Sequence, residues 1–302
     1  MTQRPLAGQT ILVTGAGGFL GRNIAAALLA AGADLYAIDR HFDKFVAPSL
    51  QTITADCRQM PPLRAQALVH AAFITDALDT PPESQLRANN ETLSATLAYA
   101  QKQAIARVIC LSSDALFQAT SAMPISPDRP PNPQGAYGVA KAQMEATAAT
   151  LRESGRDVLC ARLGAIYGPH ETMRPTRPRL SLVARLLHQA STSGEIALPR
   201  PQESREWTYA PDIGRALVAL LAAEKLNHPL YQLASGDVLN NLELALRIQQ
   251  ALPGTSLRIL ADSEHSEPPV TRRGWLETAR LRDDTGFCSW RRMDSATLRA
   301  SL

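Results

Sequence analysis

The chain has 302 residues, 45% of them hydrophobic and 20% charged, with a formal net charge of +3. That length and apolar content suit a nucleotide-sized α/β unit carrying a smaller companion, and the charge is too small to argue for a nucleic-acid partner. Cys57, Cys110, Cys160 and Cys288 show no CxxC or Cys/His spacing, so neither a metal site nor a disulfide framework is suggested and a reducing cytosol fits.

The N-terminal MTQRPLAGQTILV is too short in apolar residues for a signal peptide, and nowhere do about 18 apolar residues run together. The sequence therefore reads as cytoplasmic, with no membrane partner. TILVT is the first strand, followed by a helix over Phe19 to Ala31 on which Leu20, Ile24 and Leu28 form an apolar stripe and Arg22 and Asn23 sit to the side. Strands ADLYAID, TITAD and ALVHAAF come next, then a long helix from about Glu83 to Ala104 and the strand RVICLSS. Ser121 to Gln134 is dense in proline, which removes amide donors and fixes φ, so it reads as a loop. A helix over Tyr137 to Glu153 leads to the strand DVLCARL. His170 to Arg179 reads as irregular, and helices at Leu180 to Ala190 and Asp212 to Ala223, strands at Trp207 to Tyr209 and LYQLA, and two more helices follow. A C-terminal arginine group, Arg272, Arg273, Arg280, Arg282, Arg291 and Arg292, reads as solvated surface.

Strands alternating with helices give an α/β fold: a Rossmann-type doubly wound parallel sheet with a smaller, mainly C-terminal substrate-binding domain. We assign residues 1–165 to the dinucleotide-binding domain, with 207–235 returning to it, and 166–206 and 236–302 to the substrate-binding domain.

TGAGGFLG, directly after the first strand, spaces glycines at Gly15, Gly18 and Gly21. Such a turn presents free amides and the positive end of a helix dipole, and suits a dinucleotide pyrophosphate. Asp39 ends the second strand about 20 residues on, where a carboxylate accepts from the ribose hydroxyls and argues for NAD. Arg40 beside it can pair with a 2′-phosphate, so NADP stays open. Asp56 is placed either at the adenine amino group or as a strand-end cap. Ala71 and Ala72 leave room for a cofactor, whereas His70 reads as packed.

Tyr137 and Lys141 lie one helical turn apart on one face. A free tyrosine titrates at about 10, and a neighbouring ammonium favours the phenolate. Tyr137 can then exchange a proton with an alcohol or ketone oxygen. Ser113, at the carboxyl edge of the sheet, can orient that oxygen.

These motifs together resemble the extended short-chain dehydrogenase/reductase family, also called the NAD-dependent epimerase/dehydratase family. TGAGGFLG resembles its cofactor turn, LVHAAF its fourth-strand motif, Asn89 the asparagine of its central helix, SSDALF its SSxxVYG segment and YGVAK its catalytic pair. Further on, RLGAIYGP, REWTYAPDIGRAL and YQLASGD match its downstream segments. The resemblance implies Ser113, Tyr137 and Lys141 as the catalytic set. It implies NAD held by Gly15, Gly18, Phe19, Leu20, Gly21, Asp39, Arg40, Asp56, Cys57, Ala71, Ala72, Asn89, Tyr137 and Lys141. It implies a sugar-type substrate met by Phe73, Ile74, Asp114, His170, Arg174, Arg205 and Trp207, and a homodimer paired through the two long helices.

Two departures bear on the reaction. Ala165 replaces the asparagine that helps sugar-nucleotide enzymes hold the diphosphate, whereas Arg205 matches their phosphate-gripping arginine. Asp114 is followed by Ala115 where the family's dehydratases carry a glutamate base, which argues against dehydration. The expected activity is hydride transfer at a hydroxyl or keto carbon of a sugar, sugar acid or nucleotide sugar, as epimerase or as dehydrogenase/reductase. A redox-inactive NAD(P) sensor or scaffold of the same fold is the alternative.

Overall fold

The computed structural model describes residues 4–43, 45–75, 80–117, 124–261 and 274–302. Arg272, Arg273 and the first three residues of the Ser121 loop lie outside them. The strands of the first half are β1 (Thr10–Thr14), β2 (Asp34–Asp39), β3 (Leu50–Thr54), β4 (Ala67–His70), β5 (Arg107–Ser113) and β6 (Asp157–Leu163). Helices α1 (Phe19–Ala30), α2 (Pro82–Lys102) and α3 (Gly135–Glu153) alternate with them. The second half adds β7 (Ala165–Tyr167), α4 (Leu182–Ser193), β8 (Glu195–Leu198), β9 (Ser204–Tyr209) and α5 (Ala210–Ala222). It continues with β10 (Leu230–Leu233), β11 (Val238–Asn240), α6 (Asn241–Ala251), β12 (Ser256–Ile259), α7 (Ala279–Thr285) and α8 (Ser295–Arg299).

Seven strands form one parallel sheet in the order β10-β6-β5-β4-β1-β2-β3. The chain reverses direction across the sheet between β1 and β4, and the crevice above that switch point is where open α/β sheets take ligands. One face is covered by α1 and α5, whose Ile24, Leu28, Ile213, Leu217 and Leu220 pack on Ile11, Val13 and Ile109. Leu93 and Leu97 of α2 with Met144 and Ala148 of α3 cover the other, over Leu12, Cys110 and Cys160. Asn23, placed at the side of α1 from the sequence, is instead buried, and its amide donates to the carbonyls of Phe19 and Pro169, both at 2.9 Å. Those acceptors remove the cost of burying it.

The remaining strands make a three-stranded sheet, β11-β9-β7, and a parallel pair, β12-β8. Their core is a separate apolar cluster of Val183, Leu186, Leu187, Trp207, Tyr209, Leu244, Ile248 and Leu298. A capping box formed by Asn240 and Glu243 opens α6. β9 therefore sits in the small sheet, while α5 and β10, which follow it, lie on the large one.

Buried carboxylates fasten the C-terminal chain to this frame. Asp212 at the start of α5 is fully buried and accepts from the Arg291 backbone at 2.6 Å, from Arg291 Nε at 2.7 Å and from Arg215 at 2.9 Å. Glu206 on β9 accepts from the amides of Gly236 at 2.7 Å and Leu276 at 2.9 Å, and burial raises its carboxyl to about 7. Replacing Asp212 by Ala removes the shared acceptor of two half-exposed guanidinium groups and of the Arg291 amide. We expect Asp212→Ala to lose about 1–2 kcal/mol of stability in urea unfolding, and Asp212→Asn, which keeps the shape and one acceptor, to lose less.

Candidate active site

The turn after β1 closes because three positions, Gly15, Gly17 and Gly21, lack a side chain; at Gly17 a β-carbon would stand 2.2 Å from the His41 carbonyl oxygen. Gly15 takes φ +72°, and a β-carbon there would stand 2.6 Å from the Ala72 amide nitrogen. At Gly21 a β-carbon would stand 2.0 Å from the Gly15 carbonyl oxygen, so α1 can start against the turn only with hydrogen at that position. No side chain caps α1 and no acidic residue lies in its first turn. Its opening amides and dipole are therefore offered to whatever lies above, with Phe19 and Leu20 on the cavity wall.

Asp39 ends β2 beside this turn and accepts from the Gly17 amide at 3.0 Å and the His41 amide at 3.2 Å. Arg40 next to it is exposed. Asp56 caps the short helical turn Cys57–Gln59 through the Arg58 amide and pairs with the Arg58 side chain at 2.9 Å, which holds its carboxyl below the usual range. Cys57 is buried and its thiol is raised to about 11. Asn89 on α2 fixes the loop after β4, its amide accepting from Ile74 N–H at 2.9 Å and donating to Ile74 C=O at 3.1 Å.

A cavity of about 420 Å³ opens between the glycine turn, the ends of β4 to β6, the start of α3 and residues 172–182. Ser113, Tyr137 and Lys141 all line it, with Ala71, Phe73, Ala165, Arg174, Arg205 and Trp207. Ser113 comes from the last position of β5, where its Oγ accepts from the Ala115 amide at 3.1 Å and lies 3.4 Å from an Asp114 carboxylate oxygen. Tyr137 is in the first turn of α3, its ring edge-on to Phe73 at 5.4 Å between centroids. Lys141, one turn on, is buried and donates to the Leu111 carbonyl at 2.6 Å. Burial lowers its amine to about 7. His70, on β4 below, shares a 2.8 Å hydrogen bond with the Thr14 hydroxyl, and burial lowers it to about 3. It is neutral and structural, as its place in the strand suggests.

Residues 169–181 form a strap across the cleft. Thr176 C=O accepts from the amide and hydroxyl of Thr75 at 3.1 and 3.0 Å, and Arg177 stacks over the Phe19 ring at 5.2 Å. Arg174 pairs with Asp43 at 2.7 Å, on the loop after β2. Glu171, its side chain buried, accepts from Arg177 at 2.5 Å and from Ser181. The strap adds Arg177 and Arg179 to the cavity wall, two cations that sequence reasoning passed over. RPTRPR carried the signal, since Pro175 and Pro178 keep Arg174, Arg177 and Arg179 out of a helix, and Arg174 and Arg177 instead close a tight turn on each other. His170 stands apart from the cavity wall, exposed and with φ +70°. Asp114 borders Ser113 and also lies off the wall; Trp207 is nearly fully buried in the small core with one face on the cavity.

The profile of the NAD dependent epimerase/dehydratase family matches residues 11–234, about three quarters of the chain. The chain belongs to that family. dTDP-4-dehydro-6-deoxy-D-allose reductase of a Streptomyces species is 26% identical over 323 residues, which span 93% of this chain and 98% of the relative. Among solved structures, ADP-L-glycero-D-manno-heptose-6-epimerase of Helicobacter pylori covers 100% of this chain and 97% of its own at 20% identity, with a TM-score of 0.81. The dTDP-glucose 4,6-dehydratase of Streptomyces venezuelae, solved with NAD bound, covers 96% of each chain at 23% identity and a TM-score of 0.78. These two likenesses establish the fold.

As an epimerase/dehydratase family member the protein is an NAD-dependent enzyme, and its residues fit that cofactor. The cradle that a β-carbon at Gly15 or Gly21 would fill, and the uncapped α1, are what a pyrophosphate requires. Among the described residues no helix is long and apolar enough to cross a membrane.

Burial of Lys141 makes stability depend on pH. Its folded-state value, about 7, lies below the ordinary lysine value of 10.5, so the folded chain binds fewer protons than the unfolded chain between them. Stability attributable to this group therefore rises with pH across that window, by at most about 1.4 kcal/mol per pH unit. We expect Lys141→Met to be more stable than the wild type at pH 7, with the gap closing by pH 10, in denaturant titrations at both values.

Proposed function

We propose that this enzyme reduces the keto carbon of a nucleotide-activated sugar, or runs the reverse oxidation, with Ser113, Tyr137 and Lys141 as its catalytic set. The observation that carries the reading is convergence. The serine at the end of β5 and the tyrosine and lysine of α3 share one cavity with the glycine turn, and Arg174, Arg177, Arg179 and Arg205 line the same space. Four guanidinium groups suit the diphosphate of a nucleotide sugar, because each can offer two parallel donors to one phosphate. The named reductase relative acts on such a dTDP-linked ketone. In this reading residues 1–165 with α5 and β10 hold the dinucleotide, and 166–206 with β9 and residues 236–302 cover the sugar.

NAD would be held by the amides of the turn at Gly15 to Gly21, by Asp39 at its ribose, and by Lys141; bound and reduced, it supplies the two-electron reduction of the carbonyl carbon. Ser113 Oγ donates to the ketone oxygen and sets its direction. Tyr137 gives its phenolic proton to that oxygen as the carbon becomes tetrahedral, and the Lys141 ammonium one turn away stabilises the phenolate left behind. Trp207, Phe73 and Leu163 keep bulk water from the reacting face. Dehydration needs a second acid/base pair, and Ala115 offers no proton-transfer group where a glutamate base would stand.

Removing the phenol tests the assignment. Tyr137→Phe keeps the ring against Phe73 and should retain NAD binding by calorimetry while lowering turnover about 10²- to 10⁴-fold. Turnover within a few-fold of the wild type would remove Tyr137 from the chemistry.

A further inference from the structure

Lys141 is buried under α3 with almost nothing charged to meet it. On β4 it faces His70, lowered to about 3 and so neutral. On β5 and β6 it faces Cys110, raised to about 12, and Cys160, raised well above its ordinary value, both neutral thiols. On its own helix it has the Tyr137 phenol and Glu145, and Glu145 is already taken up by Arg162 at 2.7 Å. Among the described residues Lys141 makes no ion pair. Among the described residues its ammonium meets the Leu111 carbonyl at 2.6 Å and the face of the Phe73 ring, whose centroid is 3.4 Å from Nζ. The same Phe73 ring stands edge-on to Tyr137 at 5.4 Å, so it contacts both members of the pair.

We propose that Phe73 is a positioning residue for the tyrosine–lysine pair: its ring face holds the Lys141 amine in the charged form and beneath Tyr137. An aromatic face attracts a desolvated cation strongly because no water competes for it. The sequence placed Phe73 as a substrate contact; the structure gives it a second task, exerted through Lys141. Without that ring the buried amine loses its proton at lower pH, and a neutral lysine no longer stabilises the phenolate. This consequence for turnover rests on the reading of Tyr137 as the proton donor, whereas the effect on Lys141 does not.

The sign of the change separates the ring face from mere packing. A smaller apolar side chain at position 73 admits water and relieves desolvation, which raises the lysine value; loss of the π face lowers it. The chain has four lysines, Lys44, Lys102, Lys141 and Lys225, so ¹³Cε-lysine labelling gives few signals, and Lys141→Met assigns the one of interest. The titration is read on the protein without substrate. We expect Phe73→Leu to lower the Lys141 midpoint by about half to one pH unit, and Phe73→Tyr, which keeps the face, to restore it. An unchanged or raised midpoint in Phe73→Leu, or the same fall in Phe73→Tyr, would overturn the proposal. A lowered midpoint in a protein that reduces no ketone would leave this inference standing and count against the proposed function.

Discussion

The approach of α1 to its own entry turn governs the rest of the molecule. A β-carbon at Gly21 would sit 2.0 Å from the Gly15 carbonyl oxygen, and one at Gly15 would meet the backbone of Ala71 and Ala72, just after β4. Hydrogen at both places lets strand, turn and helix close into a cradle beside the sheet's switch point. It also fixes where α1 runs, and therefore where α5 must pack. Gly214 on α5 repeats the device: a β-carbon there would stand 2.6 Å from the Ala27 β-carbon and 2.9 Å from the Asn23 carbonyl. Close packing of α1 and α5 covers one sheet face and leaves the carboxyl edge open for a cofactor.

Electrostatics then divides the site into two kinds of place. Beneath Tyr137 and Lys141 the residues are buried, and burial favours the neutral forms of His70, Cys110 and Cys160. One ammonium is kept there beside a tyrosine, and a low effective dielectric is what makes its influence on a phenolate large. Across the cavity the wall is cationic, but the strap arginines are partly compensated, Arg174 by Asp43 and Arg177 by Glu171. A bound anion would exchange some of these ion pairs for its own. Because Asp43 belongs to the loop after β2 and Thr75 to the loop after β4, the strap is tied to both of these loops.

Much of this was legible because it follows from short-range rules. The glycine spacing, Asp39 at a strand end, and a tyrosine and lysine one turn apart each fix local geometry, and β-α alternation dictates a parallel sheet. What escaped depends on long-range partners. Glu206 and Asp212 carry no local signal of burial, yet both are buried, with backbone amides from about 70 to 80 residues away reaching them. Asn23, placed to the side of the apolar stripe, is buried for the same reason, since its acceptor on Pro169 comes from the far half of the chain. Asp56 was open between adenine and a cap; the structure shows its cap, and the pairing with Arg58 arises two residues away. The strap was read as irregular, which it is, and its place on the cleft could not be derived from proline spacing alone.

The central claim is that hydride chemistry at a nucleotide-linked ketone takes place in this cavity. It is tested most directly by incubating the enzyme with NADH deuterated at the nicotinamide and a dTDP-linked 4-keto-6-deoxy sugar, then weighing the sugar nucleotide. The account predicts a product heavier than the substrate by one deuterium and one proton. A product of unchanged mass, whether untouched ketone or an epimer, would contradict it.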